Sequence, residues 1–137
     1  AQKIGAQVTA KNDSRVTRVG KFLRASRIDE IPQLFNVLKG DMTFVGTRPE
    51  VPRYVAHYSD EMMATLLLPP GVTGTASIAY RNENKLLEEN EDPERTYIEK
   101  ILPEKMAYNL DYLKKLSVKY DFIVMGRTVK CVFEKDE

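Results

Sequence analysis

Proline at 32 and glycine at 40 confine a short helix between them, and two adjacent carboxylates, Asp29 and Glu30, stand at its entrance. Pro32 suits the first helical position, where no backbone N–H is required. The spacing predicts a helix over residues 32–38, because Leu34, Phe35 and Leu38 fall on one stripe and Lys39–Gly40 supplies a basic last turn and a glycine stop. Asp29 and Glu30 then lie at its first turn, where unpaired N–H groups and the positive helix pole favour the ionised form. An ionised carboxylate can bind a hard cation or attack phosphorus.

Neighbouring residues point in different directions, so the pair is poorly placed to share one proton and well placed to divide two tasks. Arginines bracket it. Arg24 and Arg27 precede the pair, and Arg48 follows in a Gly46–Thr47–Arg48–Pro49 turn, each offering a planar fork suited to phosphate oxygens. On the residues alone two readings stand: phosphoryl transfer, or a surface helix capped by its acids with the arginines in solvated ion pairs.

The whole chain reads as a helix-dominated α/β fold, a compact single domain over 1–137 with a few short strands, expected at 42–45 and 72–80. Residues 1–13 lack periodicity and form a loose arm. After a cap at Ser14, Val16, Val19 and Leu23 recur at helical spacing with Arg15, Arg18 and Lys21 on other faces. Such a basic amphipathic helix either lies along an anionic membrane surface or packs its apolar stripe on the core. Pro49 opens a helix carrying Val51, Tyr54, Val55 and Tyr58, and Ser59 caps another that runs through Leu67 to Pro69–Pro70–Gly71. Asp92–Pro93 and Pro103 start two more, the second with Met106, Leu110, Leu113 and Leu116 as its core stripe. Asp121 caps a last helix in which Ile123, Met125, Val129, Val132 and Phe133 are largely buried.

Charge and rare residues narrow the chemistry. The net charge of +1 hides an asymmetry: residues 1–27 hold seven Lys or Arg against one acid, and residues 83–104 hold eight acids against three bases. The amino end is therefore the side expected to face phosphates or an anionic membrane, and the acids of 88–94 form a solvated surface. Cys131 is the sole cysteine, which rules out an internal disulfide and a cysteine-rich zinc site; its apolar setting reads as a buried structural thiol. His57 is the sole histidine and reads as structural, so histidine-based catalysis is not expected. No apolar run nears the roughly 20 residues needed to span a bilayer, and no signal peptide is visible. Arg81, after a glycine-rich turn and strand-like run, is a further candidate for phosphate binding.

The string DEIPQLFNVLKGDMTFVGTRP, Asp29 to Pro49, closely resembles the signature of the bacterial sugar transferases, the monotopic phosphoglycosyl transferases. Gly46–Thr47–Arg48–Pro49 resembles their G-P-R-P element, with Thr47 in place of the usual proline, and Gly71–Gly74 resembles their P-G-(I/V/L)-T-G stretch, with Thr75 where an aromatic residue is common. Near the carboxyl end Asn109 stands where that pattern more often has Asp, Asp111 lies beside it, and Asp121 matches directly. The resemblance implies that Asp29 attacks a UDP-sugar donor, that Glu30 holds Mg²⁺, and that Arg24, Arg48 and Pro49 bind phosphates. Polyprenol phosphate would be the acceptor. It also implies a place near the metal for Asp121, whose reading from the residues alone is a helix cap. The expected setting is the cytoplasmic face of the bacterial inner membrane, with an upstream membrane-inserting helix outside this chain and no nucleic-acid partner. A membrane-surface or polyphosphate-binding module without activity, and a Mg²⁺-dependent phosphohydrolase, are the alternatives.

Overall fold

A computed structural model describes residues 17–26, 28–83, 87 and 91–133. The expected loose arm, Ser14, Arg15, Val16, Arg27 and residues 88–90 lie outside them. In chain order the elements are α1 (Arg18–Ala25), a 3-10 turn (Ile28–Glu30), α2 (Gln33–Lys39), β1 (Thr43–Val45), α3 (Pro52–Val55), α4 (Asp60–Met63), a 3-10 turn (Ala64–Leu67), β2 (Gly71–Thr73) and α5 (Thr75–Ala79). They continue with α6 (Pro93–Thr96), a π-helical turn (Tyr97–Ile101), α7 (Leu102–Lys114) and α8 (Val118–Phe133). The helix-dominated α/β reading holds.

The two strands pair in parallel, Thr43 opposite Gly71 and Val45 opposite Thr73. Parallel strands need a long crossover, and α3, α4 and the second 3-10 turn provide it. The glycines make the seam possible: a β-carbon on Gly71 would lie 2.1 Å from the Gly46 nitrogen, and one on Gly74 would lie 2.3 Å from the Gly46 carbonyl oxygen. The strand expected over 72–80 ends at Thr73 instead. Its partner has already turned away at Gly46, so the chain satisfies its backbone by coiling into α5, with the Ile78 N–H on the Gly74 carbonyl at 3.1 Å.

Several helix boundaries differ from expectation. Thr17 caps α1, its hydroxyl accepting from the Gly20 N–H at 3.0 Å. α3 begins at Pro52 rather than Pro49, because Val51 precedes a proline and is held extended (φ −69°, ψ 147°). Ser59 and Asp92 cap α4 and α6 as expected. Pro103 stands in the first turn of α7 as expected, and α7 runs on directly from the preceding π turn. Proline removes an i→i−4 bond there, and the wider turn accommodates its ring.

Two buried clusters result. Tyr54, Leu87, Tyr97, Ile101, Leu102 and Met106 form one; Val45, Tyr112 and Val124 form the other. The buried stripe of α7 is Leu102, Met106, Asn109 and Tyr112, not the expected Leu110, Leu113 and Leu116, the last of which is exposed. α8 departs furthest from expectation. Only Val124 of it is buried, Met125 is half-buried, and Ile123, Val129, Val132 and Phe133 are exposed, because α8 meets α5 and the strands along one narrow line. The stripe of α2 is also outward: Leu34, Phe35 and Leu38 are exposed. Cys131 is half-buried rather than buried.

Candidate active site

Asp29 and Glu30 do not lie in the first turn of α2. They occupy the separate 3-10 turn, closed by the Ile31 N–H on the Ile28 carbonyl at 3.1 Å. Ile31 precedes Pro32, which disfavours helical geometry there and keeps α2 from extending back; Pro32 is the N-cap and α2 starts at Gln33. The adjacent acids diverge as expected. Glu30 is half-buried and lines a cleft of about 850 Å³, while Asp29 is exposed beside it and is not part of that lining.

Arg48 reaches the same cleft from the far side of β1. Gly46 and Thr47 are buried at the strand's end, and the Thr47 carbonyl accepts from the Gly71 N–H at 3.0 Å. From this seat Arg48 directs both guanidinium nitrogens, Nη1 at 3.4 Å and Nη2 at 3.3 Å, to Glu30 Oε1. The two side chains are 51% and 25% exposed. Such a pair is worth less than about 1 kcal/mol, so an incoming phosphate can replace Glu30 on the fork at small cost.

Pro49 and Arg81 line the cleft too, with Arg81 Nη1 donating to the Cys131 carbonyl at 3.4 Å. Thus Glu30, Arg48, Pro49 and Arg81 are brought together. Arg24 is exposed on α1 and does not line the cleft. Asp121 lies elsewhere. It borders a second, mainly apolar cavity of about 480 Å³ and accepts from the Tyr112 hydroxyl at 2.6 Å. Phe44 and Met125 wall both cavities. Asp121 is not the cap of α8: Ser117 Oγ accepts from the Tyr120 N–H at 3.2 Å and does that work. Asn109 is buried, and Asp111 pairs with Lys115 at the surface. His57 is exposed at the end of α3.

A further cluster, which sequence reasoning missed, lines the same cleft next to the Arg48 loop: Glu50, Glu83, Tyr97 and Lys105. Lys105 Nζ donates to Glu50 Oε1 at 3.3 Å, to Glu83 Oε2 at 3.1 Å and to the Tyr97 oxygen at 3.1 Å, while the Tyr97 hydroxyl donates to Glu50 Oε1 at 2.5 Å. A signal was present. Lys105 falls four residues after Ile101 and one before Met106, on the apolar side of α7, where a lysine needs a partner.

Burial raises the Tyr97 phenol well above its ordinary range, and its bond to Glu50 adds to this. Tyr80, through burial and a bond to Glu104, and Tyr58, through burial and the Glu50 charge, are each pushed up to about 12. These phenols therefore stay protonated at neutral pH, and Tyr97 donates to Glu50 while its oxygen accepts from Lys105. With Arg48 and Arg81 in its lining, the cleft can position and neutralise an anion. Among the described residues no group of three or more His, Cys, Asp or Glu could cage a metal. Of the cleft carboxylates, Glu50 and Glu83 are paired with Lys105, and Glu30 fits Mg²⁺, since that ion keeps several waters and is held by one or two carboxylates plus substrate phosphates.

Comparison with known proteins bears on this geometry. The family described as bacterial sugar transferase matches residues 1–135. The undecaprenyl-phosphate galactose phosphotransferase of Salmonella typhimurium is 36% identical over 126 residues, covering 92% of this chain and 23% of that protein. A UDP-glucose:undecaprenyl-phosphate glucose-1-phosphate transferase of Xanthomonas campestris is 37% identical over 126 residues, covering 89% and 24%. One of the same description from Caulobacter vibrioides is 35% identical over 130 residues, covering 92% and 44%. The chain thus spans less than half the length of each of these relatives.

Proposed function

The chain belongs to the bacterial sugar transferase family, and from that premise we propose that it is the catalytic domain of a phosphoglycosyl transferase that moves a sugar-1-phosphate from a UDP-sugar to polyprenol phosphate. The observation that carries the reading is the meeting of Glu30 and Arg48 at a cleft of about 850 Å³, with Asp29 exposed next to Glu30 in the same 3-10 turn. The printed descriptions of the relatives, with undecaprenyl phosphate as acceptor and UDP-glucose as a donor, support it.

In this scheme an Asp29 oxygen bonds to the sugar-bearing phosphorus of the donor as the bond to the UMP oxygen breaks. A phosphate oxygen of the polyprenol phosphate then attacks the same phosphorus and releases the Asp29 carboxylate. Arg48 trades Glu30 for donor phosphate oxygens, and Pro49 and Arg81 flank them. Glu30 would hold Mg²⁺, which when bound neutralises charge on the phosphates and the departing UMP. Phosphoryl transfer depends mainly on positioning and charge neutralisation, in keeping with a cleft lined by Arg48 and Arg81. Asp121, held by Tyr112 beyond Phe44 and Met125, serves the arrangement of the site's far wall in this reading.

The lipid acceptor implies a membrane surface, and the cytoplasmic face of the inner membrane is the side where a UDP-sugar donor is available. Among the described residues no helix is long and apolar enough to cross a membrane. Exposed apolar side chains on α1 (Val19, Phe22), α2 (Phe35, Leu38) and α8 (Phe122, Val132) suit an interfacial seat instead. The same faces favour a second reading, a membrane-surface module without activity.

The deciding experiment measures UMP release from a panel of UDP-sugars with Mg²⁺, with and without polyprenol phosphate, together with intact-mass detection of a phosphosugar adduct. An adduct on the wild type and none on Asp29→Asn is the expected result. An adduct surviving that substitution overturns the assigned nucleophile. Membrane binding without UMP release favours the module, and sugar phosphate released to water in place of lipid favours a phosphohydrolase.

A further inference from the structure

The chain segment that presents Arg48 is fastened at both ends. At one end the Gly46 N–H donates to the Thr73 carbonyl at 2.9 Å and the Thr47 carbonyl accepts from Gly71. At the other, Glu50 is seated between the Tyr97 hydroxyl and the Lys105 ammonium, with Glu50 and Lys105 side chains only 12% and 14% exposed. Between these anchors stand Arg48 and Pro49, and proline has a fixed φ and no N–H to contribute.

We propose that Lys105 is a positioning residue for donor binding: with Tyr97 it clamps Glu50 and thereby fixes where the Arg48 fork meets the donor's phosphates. This rests on the transferase reading. Two residues of chain span at most about 7 Å, so the seat of Glu50 limits the backbone of Arg48 to a small volume. Lys105 is suited to the task because it bridges two carboxylates, Glu50 and Glu83, that would otherwise repel. Its ammonium also lies 5.1 Å from the centroid of the Tyr97 ring, which in turn packs on Tyr54 at 4.7 Å. The clamp is thus built on α7 and the buried cluster beneath it, while the guanidinium it serves stays half-exposed and able to change partners.

The test is a double-mutant cycle in the full-length protein in lipid nanodiscs, reading donor KM, kcat, melting temperature and, by calorimetry, the affinity for UDP. Lys105→Met is expected to raise donor KM and weaken UDP binding by about tenfold, with a smaller change in kcat, and Lys105→Arg to recover most of the loss. In an Arg48→Gln background the same Lys105→Met change is expected to cost less than about twofold, since no guanidinium is left to position. Tyr97→Phe keeps the ring packing and removes the bond to Glu50, so it is expected to raise KM several-fold even if Lys105→Met folds poorly. Equal losses in both Arg48 backgrounds, or an unchanged KM in folded Tyr97→Phe, overturn the clamp. Absence of UMP release by the wild type from every UDP-sugar overturns the transferase reading instead, and the UDP-affinity cycle then still decides whether the clamp acts through Arg48.

Discussion

Glu30 meets Arg48 at 3.3 Å, and Glu50 meets Lys105 at the same 3.3 Å in a more buried part of the same cleft. Distance does not separate the two pairs; exposure does. The front pair is 25% and 51% exposed, the rear pair 12% and 14%. Water screens the first, leaving it weak and exchangeable. The second is enclosed, additionally bonded to Tyr97 and Glu83, and costly to break because either partner alone would be a poorly solvated charge. Chemically similar groups thus do opposite work: one pair is made to be opened by an incoming anion, the other to hold still while that happens.

The sharpest way to sharpen this contrast is a substitution confined to the open side. Asp29 is exposed beside Glu30, so Asp29→Asn should leave melting within about 0.5 kcal/mol of wild type. UMP release should nevertheless fall by about 10³-fold or more, as expected for loss of a nucleophile. A variant that keeps most of its turnover would remove the front pair from the chemistry.

Next comes the seam that sets the two pairs at their separation. Gly71→Ala puts a β-carbon 2.1 Å from the Gly46 nitrogen, against backbone that cannot give way without parting β1 from β2. We expect a loss of about 3 kcal/mol or more, read by thermal or denaturant unfolding, with front and rear pairs both disturbed. Gly40→Ala is the control: there nothing crowds a β-carbon, and only the left-handed φ of 84° opposes it, a smaller cost of about 1 kcal/mol.

How much of this was legible in the chain follows the same divide. The carboxylate pair, Arg48 and the caps at Ser59 and Asp92 are local features with a side chain and a spacing that name their role, and they were readable. Of the rear cluster only the need of Lys105 for a partner was legible, because Glu50, Glu83, Tyr97 and Lys105 are spread over 55 positions and meet only through the fold. Periodicity also misjudged α2 and α8. It detects an apolar stripe, and Leu38 or Phe133 belongs to one whether the stripe meets a core or faces outward. The strand expected over 72–80 failed for a related reason: composition favours a strand there, but its partner among the described residues turns away at Gly46.

A direct comparison of the pairs is a smaller effect. Arg48→Gln should cost less than about 1 kcal/mol of stability, and Lys105→Met about 3 kcal/mol, since it strands Glu50 and Glu83. Equal losses would mean that exposure is not what distinguishes them.

The smallest expected effect is in alkali, and it touches only the rear of the cleft. Tyr58 and Tyr80 are held to about 12 in the folded state against an ordinary 10.0, by burial first and by nearby carboxylates second. A raised phenol means that the folded state favours the neutral form, so its contribution is complete below pH 10 and is lost as pH rises toward 12. Both side chains are partly exposed, so the loss is on the order of 1 kcal/mol each after screening. Unfolding titrations between pH 9 and 12 should therefore steepen from about pH 10. Tyr58→Phe should flatten that slope, as should Tyr80→Phe, and Arg48→Gln should leave it unchanged, because the front pair owes nothing to a buried phenol.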